Sequence, residues 1–134
     1  MIEELTREQK LAVNRLGHVL KDNYDVSKRG ELEKILVYTK GEEVIGFIQF
    51  IKLYEVVEIL YLVVDERYRK LGIGSTFIEH LSRDLDIKRM ILEVRKSNEV
   101  AISFYEKNGF KKIRPIENYY KDGEDALAME KVIR

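Results

Sequence analysis

Val63-Val64-Asp65-Glu66-Arg67-Tyr68-Arg69-Lys70-Leu71-Gly72-Ile73-Gly74-Ser75 is the stretch that decides how this chain is read. An apolar, β-branched run ends at Val64, a basic turn carrying glycine follows, and Ile73, Phe77, Leu81 and Leu85 then recur at helical spacing. A strand that feeds a helix through such a turn aims several unpaired backbone N–H groups at one point. The helix dipole adds partial positive charge there. Gly72 and Gly74 are expected to let the backbone approach a ligand closely. Together these make an anion site suited to a diphosphate. The third glycine of G-x-G-x-x-G is missing, and so is G-x-x-x-x-G-K-[ST]. What remains is R-x-x-G-x-G over Arg69–Gly74.

Upstream of the turn, the chain predicts a short strand near Ile2–Leu5. A helix follows, opened by a Thr6/Gln9 capping box and carrying Ala12, Leu16, Val19 and Leu20. Residues 21–31 are polar and read as a loop with at most a short helix. Strands over Lys34–Thr39, Val44–Leu53 and Val56–Val64, separated by tight turns, form an antiparallel meander. Downstream, the helix over Gly72–Leu85 precedes a strand at Met90–Val94. Asn98 caps a helix holding Ala101, Ile102 and Tyr105, and Gly109 ends it. Phe110–Ile116 and Ala126–Val132 close the chain as strands, with a hairpin turn at Asp122-Gly123-Glu124-Asp125. The fold class is therefore α/β: one domain over residues 1–134, with antiparallel strands first and strand-helix-strand units after.

Composition narrows the chemistry. With no cysteine, disulfides, a Cys-based metal site and a thiol nucleophile are excluded. His18 and His80 lie far apart and in no ligand spacing, so no metal is expected. Twenty-four Lys and Arg balance 24 Asp and Glu, which gives no global reason to bind nucleic acid or anionic lipid. No apolar run approaches the roughly 20 residues of a membrane helix. The acidic Met1–Leu5 start does not resemble a secretory signal. A cytoplasmic protein, monomer or homodimer, without a nucleic-acid or membrane partner, is expected.

The run V-D-E-R-Y-R-K-L-G-I-G-S resembles the coenzyme A signature of GNAT acetyltransferases. The resemblance continues through Leu92-Glu93-Val94-Arg95-Lys96-Ser97-Asn98 and Ala101-Ile102-Ser103-Phe104-Tyr105-Glu106-Lys107-Asn108-Gly109-Phe110. The tail Asn118-Tyr119-Tyr120-Lys121-Asp122-Gly123-Glu124-Asp125-Ala126-Leu127-Ala128-Met129 is similar to one branch, the protein N-terminal α-amino acetyltransferases. That branch includes the bacterial ribosomal-protein enzymes and the catalytic subunits of eukaryotic and archaeal ones. The likeness runs from about Val44 to the C-terminus. It implies a GNAT fold with acetyl-CoA as co-substrate. It also implies that the backbone of Leu62, Val63 and Val64 holds the pantetheine arm and that the N–H groups of Lys70, Leu71, Gly72, Ile73, Gly74 and Ser75 hold the pyrophosphate. Asn98 would contact the pantetheine from the next helix. Relatives often carry Gln or Arg where this chain has Leu71. They usually place an aromatic, proline-bearing loop after the first helix, where Leu20–Gly30 here is polar and has no proline.

Acetyl transfer to an amine needs a neutral nucleophile and a stabilised thiolate. Glu93, a carboxylate inside an apolar strand, reads from the residues alone as the polar side of that strand; the resemblance makes it the candidate base. A carboxyl near pKa 4.3 is a poor base for an ammonium unless its pKa is raised or a water intervenes. Tyr105 reads unaided as a core aromatic, and the resemblance makes it the candidate acid at sulfur. Tyr119 and Tyr120 are candidate walls for the acceptor or, equally, residues packed on the sheet, and the acidic 122–125 turn could draw a cationic amine. The acceptor expected from the resemblance is a protein or peptide α-amine. A small amine (polyamine, aminoglycoside or amino acid) and a non-catalytic coenzyme A-binding module are the alternatives.

Overall fold

The computed structural model describes residues 1–21 and 23–134; Asp22, in the loop expected over 21–31, lies outside the described residues. The strands are β1 (Ile2–Glu4), β2 (Glu33–Lys40), β3 (Glu43–Leu53), β4 (Val56–Val64), β5 (Arg89–Arg95), β6 (Lys111–Ile116) and β7 (Ala126–Val132). The helices are α1 (Lys10–Gly17), α2 (Ile73–Ser82) and α3 (Glu99–Lys107). Short 3-10 turns occupy Arg7–Gln9, Val26–Lys28 and Glu66–Tyr68.

All seven strands join one sheet in the order β1-β2-β3-β4-β5-β7-β6. Strands β2, β3 and β4 form the expected antiparallel meander, and β1 pairs antiparallel with β2 at its edge. The β4-α2-β5 unit then sets β5 parallel to β4. The β5-α3-β6 unit also runs parallel in sense, but β7 slots antiparallel between its strands, so β4–β5 is the one parallel pair among the described residues. Helix α2 ends at Ser82, one turn short of the periodicity, and Leu85 is exposed. Arg134 helps close that end: its guanidinium donates to the carbonyls of Ser82, Asp84 and Ile87 at 2.7–2.8 Å.

Both faces of the sheet are covered, which is why Val44–Phe50 is buried without interruption rather than in alternation. On one face α2 and α3 bury Ile48, Phe50, Val57, Ile59, Phe77, Ile78, Leu81, Met90 and Leu92. On the other, α1 and the segment after it bury Val13, Tyr24, Val26, Val37, Phe47 and Val63. Truncating a fully buried ring such as Phe47 or Phe77 to alanine costs about 3–5 kcal/mol.

One irregularity places the site. Gln49 pairs with Tyr61 and Phe50 with Ile59, which leaves Leu60 as an extra residue on β4. This bulge reverses the alternation. Val57 and Ile59 point into the α2 face, while Tyr61 and Val63 point into the α1 face.

Candidate active site

Strands β4 and β5 pair only from Val56–Ile59 to Arg89–Leu92. From the bulge onward Leu60–Val64 has no partner on that side, and the carboxyl ends of the two parallel strands part. Such a crevice is where open α/β sheets bind ligands. Leu62, Val63 and Val64 form its β4 wall. A backbone edge free of β5 can accept an extended ligand like an added strand. The Val64 carbonyl is already taken by Arg69 Nε at 3.3 Å.

The chain leaving β4 is tied down before it reaches the glycines. Asp65 accepts from Arg67 N–H at 2.9 Å, and Arg67 bridges Asp65 and Glu43 at 2.9 and 3.1 Å. Tyr68 donates to Glu43 at 3.0 Å. Lys70 and Gly72 then take left-handed φ of 66° and 81°. At Gly72 any side chain would be strained. The first bond of α2 runs from Thr76 N–H to the Gly72 carbonyl at 3.0 Å. Among the described residues, no N–H from Lys70, Leu71, Gly72, Ile73, Gly74 or Ser75 donates to a protein acceptor. These six consecutive donors at a helix N-terminus have the form of an anion cradle. The exposed Leu71 side chain takes no part in it.

Gly74 has a different reason for lacking a side chain from the one the sequence suggests. A Cβ there would stand 2.8 Å from Phe104 Cζ, so its absence lets α3 approach α2 rather than a ligand.

Glu93 projects from the β5 face opposite Met90, Leu92 and Val94, toward the α1 side of the sheet. There it meets Glu58 of β4. Burial pushes the Glu93 carboxyl up, and the charge and close approach of Glu58 add to this; Arg114 pulls the other way. Tyr119 lies over the same spot. Burial raises its phenol first, then the charges of Glu93 and Glu58 and the nearby Tyr61. Glu58, Tyr61 and Arg114 thus join a site the sequence reading did not give them. The available signal was Glu58, a second carboxylate stranded in the apolar run V-V-E-I-L-Y.

Tyr105 lies in the other layer. Its ring packs edge-on to Phe104 and Phe110 at 5.2 and 5.4 Å, and burial alone holds the phenol well above its ordinary range. Glu93 and Tyr105 are not in contact; they flank the sheet where β4 and β5 separate. Asn98 caps α3 through Oδ1, which accepts from Ala101 N–H at 3.1 Å. Its amide N–H donors make no protein hydrogen bond among the described residues. Tyr120 sits under the Arg95 guanidinium at 4.1 Å and edge-on to Tyr119 at 5.0 Å. Arg95 also pairs with two carboxylates of the acidic turn, Asp122 at 2.8 Å and Glu124 at 2.9 Å. Asp125 accepts from Asn118 N–H. The turn is tied to β5 through these bonds, and the carboxylates that act on Tyr119 are Glu93 and Glu58.

No helix among the described residues is long and apolar enough to cross a membrane. The sequence model of the Acetyltransferase (GNAT) family matches residues 2–110. An N-alpha-acetyltransferase of Sulfurisphaera tokodaii is 32% identical over 143 residues, covering 91% of this chain and 84% of that protein. The chain spans about half the length of other curated relatives it matches, 45% in the case of an N-alpha-acetyltransferase from Saccharolobus solfataricus. Among solved structures, the ribosomal-protein-S18-alanine N-acetyltransferase of Escherichia coli superposes with a TM-score of 0.82 at 27% identity, over 99% of this chain and 93% of that one. An aminoglycoside 6'-N-acetyltransferase complexed with coenzyme A shares the fold, with a TM-score of 0.82 at 20% identity over 100% and 97%. With the parted strands, the cradle and the family match together, the chain belongs to the GNAT acetyltransferases.

Proposed function

We propose that this protein transfers the acetyl group of acetyl-CoA to the α-amine of a protein or peptide N-terminus. The observation that carries the reading is the pair of carboxylates, Glu58 and Glu93, at the mouth of the parted β4–β5 crevice, whose other end is the anion cradle. In this reading the cradle takes the pyrophosphate and the free β4 edge takes the pantetheine arm, which brings the thioester to the level of Glu93 and Tyr105. The names of the N-alpha-acetyltransferase relatives support the choice of acceptor.

The chemistry follows from the geometry. A free α-amine has a pKa near 8 and lysine near 10.4, so deprotonating the α-amine is easier by about 3 kcal/mol. The acidic mouth draws the ammonium in. Glu93, ionised but raised in pKa, takes its proton directly or through water. The neutral nitrogen attacks the carbonyl carbon, a C–N bond forms, and the C–S bond breaks as the tetrahedral adduct collapses. Tyr105 is a weak acid in its apolar setting, so its O–H serves mainly to hydrogen-bond the departing sulfur. Nitrogen loses a second proton as the adduct collapses, and the thiolate gains it; the first passes from Glu93 to solvent, so the turnover releases one proton.

The test is thiol release from acetyl-CoA against peptides with free N-termini, spermidine, an aminoglycoside and Nα-blocked lysine. Turnover is expected on the peptides. Turnover on small amines and on no peptide would reject the peptide acceptor and leave the GNAT assignment standing. Binding of acetyl-CoA without turnover on any amine would leave a non-catalytic binding module.

A further inference from the structure

The segment between α1 and β2 looks like a solvated loop in sequence, yet Tyr24 in it is 4% exposed. Its ring lies directly on the backbone of Gly17, where a Cβ would come within 2.1 Å of Tyr24 Cδ2. The Tyr24 hydroxyl donates to Gln49 Oε1 at 2.7 Å. Gln49 is itself 3% exposed, and its amide reaches Glu33 at 3.4 Å. The same Glu33 carboxyl accepts from Gly30 N–H, and Val26 N–H donates to Asn14 at 2.7 Å, so the loop is fastened at three points.

What this fastening holds is next to the site. Gln49 is the cross-strand partner of Tyr61, the first residue after the β4 bulge. Tyr24 packs edge-on against the Tyr61 ring, with centroids 5.8 Å apart and planes at 88°, and Phe47 supports Tyr24 from another side at 5.6 Å. Lys21 places its ammonium 6.0 Å from the Tyr61 ring. Tyr61 in turn neighbours Tyr119 over the Glu58–Glu93 pair. Tyr61 is thus packed against the latch on the same sheet face that carries Glu58 and Glu93.

We propose that Tyr24 and Gln49 are positioning residues: their buried hydrogen bond fixes the Tyr61 ring as the wall against which the acceptor amine is seated. The inference rests on the acetyl-transfer reading above. It assigns the α1 side of the sheet to the acceptor and predicts an effect on acceptor binding that spares acetyl-CoA. Buried groups that depend on one another behave as a unit, so loss of either partner leaves the other unpaired and the ring unfixed.

The experiment measures acceptor KM, kcat and the acetyl-CoA dissociation constant for wild type, Tyr24→Phe, Gln49→Met and the double variant. The acceptor is an alanine-initiated tetrapeptide, or spermidine if that is the amine turned over. Each single variant is expected to raise acceptor KM by about tenfold with kcat and acetyl-CoA affinity little changed. A single variant can fail by unfolding the loop, so the double variant decides. It leaves no orphaned polar group between the two positions, should melt close to wild type, and should still show the raised KM. An unchanged acceptor KM in a folded double variant overturns the latch while the acetyltransferase reading stands. Absence of turnover in wild type, with Glu93→Gln no different, would instead remove the reading beneath it and the inference with it.

Discussion

Glu93 shows what a sequence can and cannot say about one residue. Its place in an apolar strand was legible, but the charge that tunes it was not, because Glu58 belongs to another strand. Reading V-V-E-I-L-Y with unbroken alternation puts Glu58 and Tyr61 on opposite faces. The extra residue Leu60 brings them onto the same one. Like-charged neighbours raise the pKa of a carboxylate. A base works only when ionised, so activity governed by Glu93 should rise with pH through its raised pKa. Glu58→Gln removes the neighbouring charge, lowers that pKa and should move the acid limb of the kcat/KM profile to lower pH. A limb that stays in place would mean Glu93 is not the group titrating. Tyr105→Phe should reduce kcat by roughly a hundredfold, the scale of losing one hydrogen-bond donor to a developing charge, with acetyl-CoA affinity unchanged by calorimetry. Equal kcat would remove Tyr105 from the chemistry.

Among the elements, α2 carries two glycines that look alike in R-x-x-G-x-G and do different things. Gly72 is required by its left-handed backbone, whereas Gly74 is required by Phe104 of the neighbouring helix. The sequence gives the motif but not the contact, since nothing local reports that α3 folds back over α2. Gly74→Ala should therefore act as an overpacking change that forces the helices apart. A loss of about 1–3 kcal/mol in a urea melt is expected. A wild-type melting curve would show that the α2–α3 contact yields freely. The same limit explains β7. Its strand character was plain from Ala126–Val132, but its insertion between β5 and β6 depends on pairings far apart in the chain. Tyr24 was hidden in the same way: a single aromatic in a polar stretch, buried only because Gly17 leaves room for its ring.

For the whole molecule, the helix-bearing turn, the meander and the α/β class could be read from residue pattern, because each follows from local periodicity and turn chemistry. The crevice could not. It arises where a bulge bends β4 from β5, and its two ends, the cradle at Lys70–Ser75 and the Glu58–Glu93 mouth, are joined only by the fold. We propose that those six backbone N–H groups receive the linked phosphates of acetyl-CoA. The direct measurement is an amide-resolved 15N–1H titration of the folded protein with acetyl-CoA. The amides of Lys70 through Ser75 are expected to show the largest shifts and to saturate together. Saturable binding that leaves those amides unmoved, or no binding at all, would contradict it.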